Sequence, residues 1–253
     1  MKKGLGVFLL LVSFSALGAV FVKGASCQLT PGLADANVLA LSWLPGFCQT
    51  YGYEKGKPEC LHLSKSEFAA SHLVLHGLWP NQASCGQRYG FCGVEEKTNH
   101  CDYAPLELGA PVAYLLSEMM PSYAEGSCLE RHEWNKHGSC QTLTMDQYFD
   151  LAARLGQEMN QTPLGKLLTT HVGQQIELAD LKRAVADAFG EDAVSKIYFA
   201  CKDDALVDIY VQLSANLNSG ATLNTLINEA PPQNRSDACG DTLMISNFSP
   251  ASS

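Results

Sequence analysis

Apolar and polar positions divide the chain into a series of elements. Residues 38–43 are apolar apart from Ser42, the pattern of a buried strand. Residues 72–76 alternate, so Leu73 and Leu75 face one way and His72, Val74 and His76 the other. That strand therefore ends on a histidine. Residues 111–120 have helical character, with Pro111 near the start. Thr144-Met-Asp-Gln147 is a capping-box pattern, predicting a helix to about residue 159. Residues 178–189 form a second amphipathic helix, with Leu181, Val185, Ala188 and Phe189 on one side and Gly190 as its stop. Residues 195–201 and 206–214 suit a hairpin around 202–205, and Val207, Ile209, Val211 and Leu213 share one face of its second arm. Residues 242–248 suit a last strand. The Gly-, Cys- and Asn-rich stretch 81–102 reads as a long surface loop. Strands at both ends and helices between them predict an α+β fold around a central, largely antiparallel sheet.

The N-terminus stands apart from this pattern. Lys2 and Lys3 precede an apolar stretch ending in small residues, the signature of a cleaved secretory signal. Residues 1–24 are therefore set aside as a signal peptide. Residues 25–253 are taken as a single domain, exported to the periplasm or the extracellular space. No later apolar run is long enough to span a membrane. Three Asn-X-Ser/Thr triplets, at Asn160, Asn234 and Asn247, matter only in a eukaryotic secretory pathway.

Export changes the reading of the cysteines. All ten follow Ser26, and an even number in an exported chain points to disulfides. No CxxC pair suggests zinc. The close spacings among Cys85, Cys92 and Cys101 suit loop staples.

Charge narrows the function. The formal charge is −9, and removing residues 1–24 takes away three lysines and no acid, which carries it to −12. A protein this acidic does not capture nucleic acid by its overall field. Any polyanion must be held by a few local cations, with a shallow dependence on salt.

Two segments carry chemistry. In LVLHGLWP (73–80), His76 is followed by Gly77, where backbone can approach a ligand closely, and by Trp79, which Pro80 holds. In LERHEWNKHGSC (129–140), a helix would make Glu133 and His137 neighbours at i,i+4, and likewise His132 and Lys136. The nearby carboxylate is expected to raise the histidine pKa. The second segment is like the zinc motif HExxH, but its second histidine comes five residues after the first. On a regular helix the two point well apart and cannot clamp one metal.

Two histidines on different elements, with a lysine and a glutamate, meet the needs of RNA phosphodiester cleavage. The ribose 2′-hydroxyl is an internal nucleophile. It needs a base, the departing 5′-oxygen needs an acid, and the phosphorane needs positive charge. No metal-activated water is required, so no cofactor is expected. Trp79, Trp134 and Tyr89 are candidates to stack bases.

The two segments closely resemble the paired active-site signatures of the T2 ribonuclease family, especially its bacterial periplasmic members. VLALSWLPGFC (38–48) resembles that family's first core strand and cysteine, so the similarity covers most of the mature chain. The resemblance implies a metal-independent endoribonuclease cutting single-stranded RNA with low base specificity. It implies His137 as general base, His76 as general acid, and Glu133 and Lys136 as stabilisers of the transition state. It places His132 at the phosphate and Trp79 at a base, with a 2′,3′-cyclic phosphate opened to a 3′-phosphate. It also implies the disulfides Cys48–Cys60 and Cys201–Cys239, and a partner for Cys140 within 85–101. Cys27 and Cys85 are additions to the usual bacterial set and are candidates to pair with each other. RNA is the expected partner, and a monomer is the default state.

Overall fold

The computed structural model describes residues 26–86, 88–232 and 236–250. The signal segment and Asn234 lie outside the described residues. In chain order the elements are β1 (Ala36–Trp43), α1 (Leu44–Phe47), α2 (Pro58–Leu61), β2 (Leu73–Asn81), α3 (Ala110–Met119), α4 (Pro121–Ala124), α5 (Leu129–Lys136), α6 (Met145–Gln161), α7 (Pro163–Thr170), β3 (Gln174–Glu177), α8 (Leu178–Phe189), β4 (Ile197–Lys202), β5 (Ala205–Leu213), α9 (Leu223–Asn228) and β6 (Thr242–Ile245).

The strands form one sheet in the order β2-β1-β5-β6-β3, with β4 paired to β5. Every pairing is antiparallel except a short parallel contact of β5 with β6 at Ala205 and Met244. This is the expected α+β architecture. One face of the sheet, through Leu39, Leu41, Leu75, Ile209, Val211 and Leu213, packs on Tyr148, Leu151 and Leu155 of α6 and Leu181 and Val185 of α8. The alternation in residues 207–213 is thus explained by burial of one face.

The capping box of α6 forms: Gln147 N donates to Thr144 Oγ1 and Thr144 N donates to Gln147 Oε1 (3.3 and 3.0 Å). The helix runs two residues beyond the expected end. Thr162 then caps α7, accepting from Gly165 N at 3.2 Å. The hairpin turns through Asp203 and Asp204, both with positive φ (50° and 62°), as a two-residue turn requires. Its first arm starts later than expected, because residues 191–196 form a 3₁₀ turn.

β2 departs from expectation in a way that matters. It does not stop at His76 but continues to Asn81. Ala40 pairs with Gly77 and Leu41 with Leu75, so His76 is the extra residue of a β-bulge. A bulge reverses the in–out alternation and re-aims side chains. Before it Leu73 and Leu75 reach the core, and after it Leu78 does. His76 and Trp79 consequently meet, edge to face, with ring centres 5.2 Å apart. α6 clamps the strand on both sides of the bulge. Asn160 accepts from Leu73 N (2.9 Å) and donates to Leu73 O (2.8 Å), and Tyr148 OH donates to Leu78 O (2.8 Å). The first of the three Asn-X-Ser/Thr triplets therefore spends its amide on structure.

All ten cysteines are paired, as Cys27–Cys85, Cys48–Cys60, Cys92–Cys140, Cys101–Cys128 and Cys201–Cys239. The two pairings implied by resemblance are present. Cys140 has its partner in the loop, and Cys27 joins Cys85.

Candidate active site

β2 and α5 deliver the site between them. α5 ends at Lys136, and His137 caps it with φ −105° as the chain turns away. Gly138 follows because a Cβ there would run into the Trp134 ring. Glu133 is buried and its Oε2 accepts from Trp79 Nε1 at 2.7 Å. Gly77 lies directly over that carboxylate, where a Cβ would collide with it. The Trp79 ring lies against His137 (ring centres 5.4 Å, planes 27° apart) as well as against His76. The two signatures, more than fifty residues apart in sequence, are thus joined through one indole.

The sheet supplies a residue that the sequence reading missed. Asp208 of β5 lies opposite Ser42 of β1 and accepts from its hydroxyl at 2.5 Å. Its Oδ1 is 3.7 Å from His76 Nδ1, and Tyr210 OH donates to Oδ2 at 3.2 Å. An aspartate within an apolar strand was the available signal. The side of β5 away from the core faces β2's histidine.

A second missed group comes from the 81–102 loop. His100 stacks on His132 with ring centres 4.1 Å apart, and Phe91 meets the same ring edge-on at 5.9 Å. The Cys101–Cys128 disulfide holds this loop on α5, and Arg131 donates to the carbonyls of Cys101 and Tyr103, both at 3.0 Å. Phe91 N donates to Lys136 O at 2.8 Å.

Proton affinities diverge across the site. Burial works against a charged His76, but contact with Asp208 and the charges of Glu133 and Asp208 outweigh it, and its pKa rises above 6.5. His137 moves the other way, driven well down by burial and by the nearby Lys136, His132 and His76. His132 falls to about 4 through burial and the neighbouring His100, Lys136 and His76. Burial lifts Glu133 to about 7, against the pull of His76, Trp79 and Lys136. Asp208 stays low despite burial, because His76, Ser42 and Tyr210 all favour its charge. The expectation that Glu133 would raise the pKa of His137 is therefore corrected. The Glu133 carboxylate turns towards β2, and its charge acts on His76. His132 and His137 also bury their Nδ1 atoms without hydrogen-bond partners among the described residues, so charging either ring is costly.

Two candidate base-stacking residues do not reach the site surface. Tyr89 is buried, receives Leu33 N (3.1 Å) and donates to Thr30 O (2.7 Å). Trp134 packs into the core against Tyr148 and Phe149. Trp79 is half-buried and remains at the site.

Comparison with known proteins gives the family and agrees with the fold. Residues 34–224 match the model of the Ribonuclease T2 family. Ribonuclease I of Escherichia coli (strain K12) is 30% identical over 258 residues, covering 93% of both chains. The structure of Actibind, a T2 ribonuclease, superposes with a TM-score of 0.56 at 21% identity, covering 90% of this chain and 93% of that one. RNase NT in complex with 5′-AMP also gives 0.56, at 19% identity, over 85% of this chain and 99% of that one.

Proposed function

This chain belongs to the Ribonuclease T2 family and is an endoribonuclease, and on that premise we propose that His137 and His76 are its base and acid in a metal-independent cut. His137 takes the proton of the ribose 2′-hydroxyl. The 2′-oxygen attacks phosphorus and the bond from phosphorus to the 5′-oxygen breaks. His76 gives its proton to that leaving oxygen. Lys136 and Glu133 steady the phosphorane, His132 helps bind the phosphate, and Trp79 lines the base site. The product is a 2′,3′-cyclic phosphate. Water then opens it to a 3′-phosphate, with His76 taking the water's proton and His137 returning one to the 2′-oxygen.

The observation that carries this reading is the opposed proton affinity of the two histidines flanking Trp79. The surroundings favour a proton on His76 and oppose one on His137, the division between acid and base that the reaction needs. Single-stranded RNA with low base specificity fits a site in which the half-buried Trp79 is a stacking surface. We further propose that residues 1–24 are a signal peptide and that residues 25–253 act as a monomeric domain in the periplasm or outside the cell. Five disulfides support an oxidising compartment. No helix among the described residues is long and apolar enough to cross a membrane.

The test is to incubate the mature protein with a defined RNA in excess EDTA and analyse the new ends. The expected result is undiminished cleavage leaving 2′,3′-cyclic phosphates. Loss of cleavage on chelation would make this a metal enzyme, and 5′-phosphate ends would remove the 2′-hydroxyl from the mechanism.

A further inference from the structure

Beside His76 lies an open pocket of about 330 Å³ that none of the steps above uses. Its walls are apolar and aromatic, including Leu44, Phe47 and Tyr51. Glu59 lies in the wall, buried, and its Oε2 has no hydrogen-bond partner among the described residues. An unsatisfied buried acceptor beside aromatic walls is suited to a base bearing N–H donors. Lys55 and Lys57 also line the pocket. Lys55 is exposed and Lys57 half-buried, which places them towards its mouth, outside Glu59. Neither forms an ion pair among the described residues. The Cys48–Cys60 disulfide staples the segment that carries both.

Lys57 is not isolated from the charges of the site. His100, stacked on His132, is disfavoured as a cation by burial and then by both Lys57 and Lys136. Lys57 and Lys136 therefore both lie within electrostatic reach of His100. In a protein of formal charge −9, a local pair of lysines beside the site is where a polyanion would be held.

We propose that Lys55 and Lys57 form a second phosphate site, binding the 3′-phosphate of the nucleotide that departs from His76. The direction rests on the reading of His76 as the acid to the leaving 5′-oxygen. The space on its side, away from His137, then receives the downstream nucleotide. The next phosphate along the strand emerges at the mouth of the pocket, where the lysines stand. The site makes the enzyme favour an RNA chain over a dinucleotide, and its contribution adds to the salt dependence of binding.

The test compares kcat/KM for CpA, CpAp and pCpA. For the natural protein, CpAp is expected to exceed CpA by about tenfold, and pCpA to match CpA, since two charge-assisted contacts are gained only downstream. In the double variant Lys55→Ala, Lys57→Ala the ratio of CpAp to CpA should fall to about one. No gain from the 3′-phosphate, an equal gain from the 5′-phosphate, or a gain that survives in the double variant would each overturn the proposal. Calorimetry with adenosine 3′,5′-bisphosphate against 5′-AMP gives the same ratio without turnover. A chain that prefers the bisphosphate through these lysines but leaves 5′-phosphate ends on RNA would contradict the proposed mechanism and not the phosphate site.

Discussion

Asp208 shows how much one residue sets. Its carboxylate contacts His76 and helps keep that ring protonated against burial. An acid must be protonated to act, so with His76 as the proposed acid, activity should be lost as pH rises through its pKa. Asp208→Asn removes the charge and lowers that pKa. The alkaline limb of the profile of kcat/KM against pH should therefore move to lower pH, while the acid limb, set by His137, moves little. An unmoved alkaline limb would show that Asp208 does not tune the acid. His76, Glu133, His137, His132, Lys136 and Trp79 were legible in the sequence because they fall in two dense runs. Asp208, Tyr210, Phe91 and His100 were not, because each reaches the site only through sheet pairing or a disulfide-held loop. Tyr89 and Trp134 misled for a related reason. An aromatic beside a catalytic run looks the same in sequence whether it faces a ligand or the core.

At the level of elements, periodicity read the long pieces well. α6 has its capping box, α8 its apolar stripe, and β5 its alternation. The short pieces β3, α7 and α9 carry too few residues for a period to emerge. The β2 bulge was invisible for a different reason. Alternation that reverses at an inserted residue looks like alternation that stops, so the strand seemed to end at His76. Gly77 completes the bulge beneath the Glu133 carboxylate. Gly77→Ala forces strand and helix apart. The expected cost is about 1–3 kcal/mol of stability from overpacking, seen in thermal unfolding. Because catalytic geometry tolerates little displacement, kcat should drop by about a hundredfold. A variant with full activity would mean that the strand–helix contact does not hold the site.

Across the whole molecule, charge and cross-links set the working conditions. With a formal charge of −9, the protein as a whole opposes a polyanion, and local lysines such as Lys136, Lys55 and Lys57 must hold it. Few phosphates can be engaged at once, so log(kcat/KM) on a long RNA should fall with log salt at a slope shallower than about −3. A steep slope would place further cations in contact with RNA. Three of the five disulfides hold the loops that carry Tyr51, Phe91 and His100, so the site's walls depend on oxidation as well as on the core.

The division of labour between the two histidines is tested most directly by a substrate whose leaving group needs no proton. Uridine 3′-(p-nitrophenyl phosphate) cyclises with loss of p-nitrophenolate, which departs as a stable anion. On a dinucleotide, His76→Ala and His137→Ala should each lower kcat by about 10²–10⁴-fold. On the nitrophenyl ester, His76→Ala should return to near the natural rate, while His137→Ala stays depressed, because the 2′-hydroxyl still needs its base. Rescue of His137→Ala with continued failure of His76→Ala would reverse the assignment, and equal loss in both would refute it.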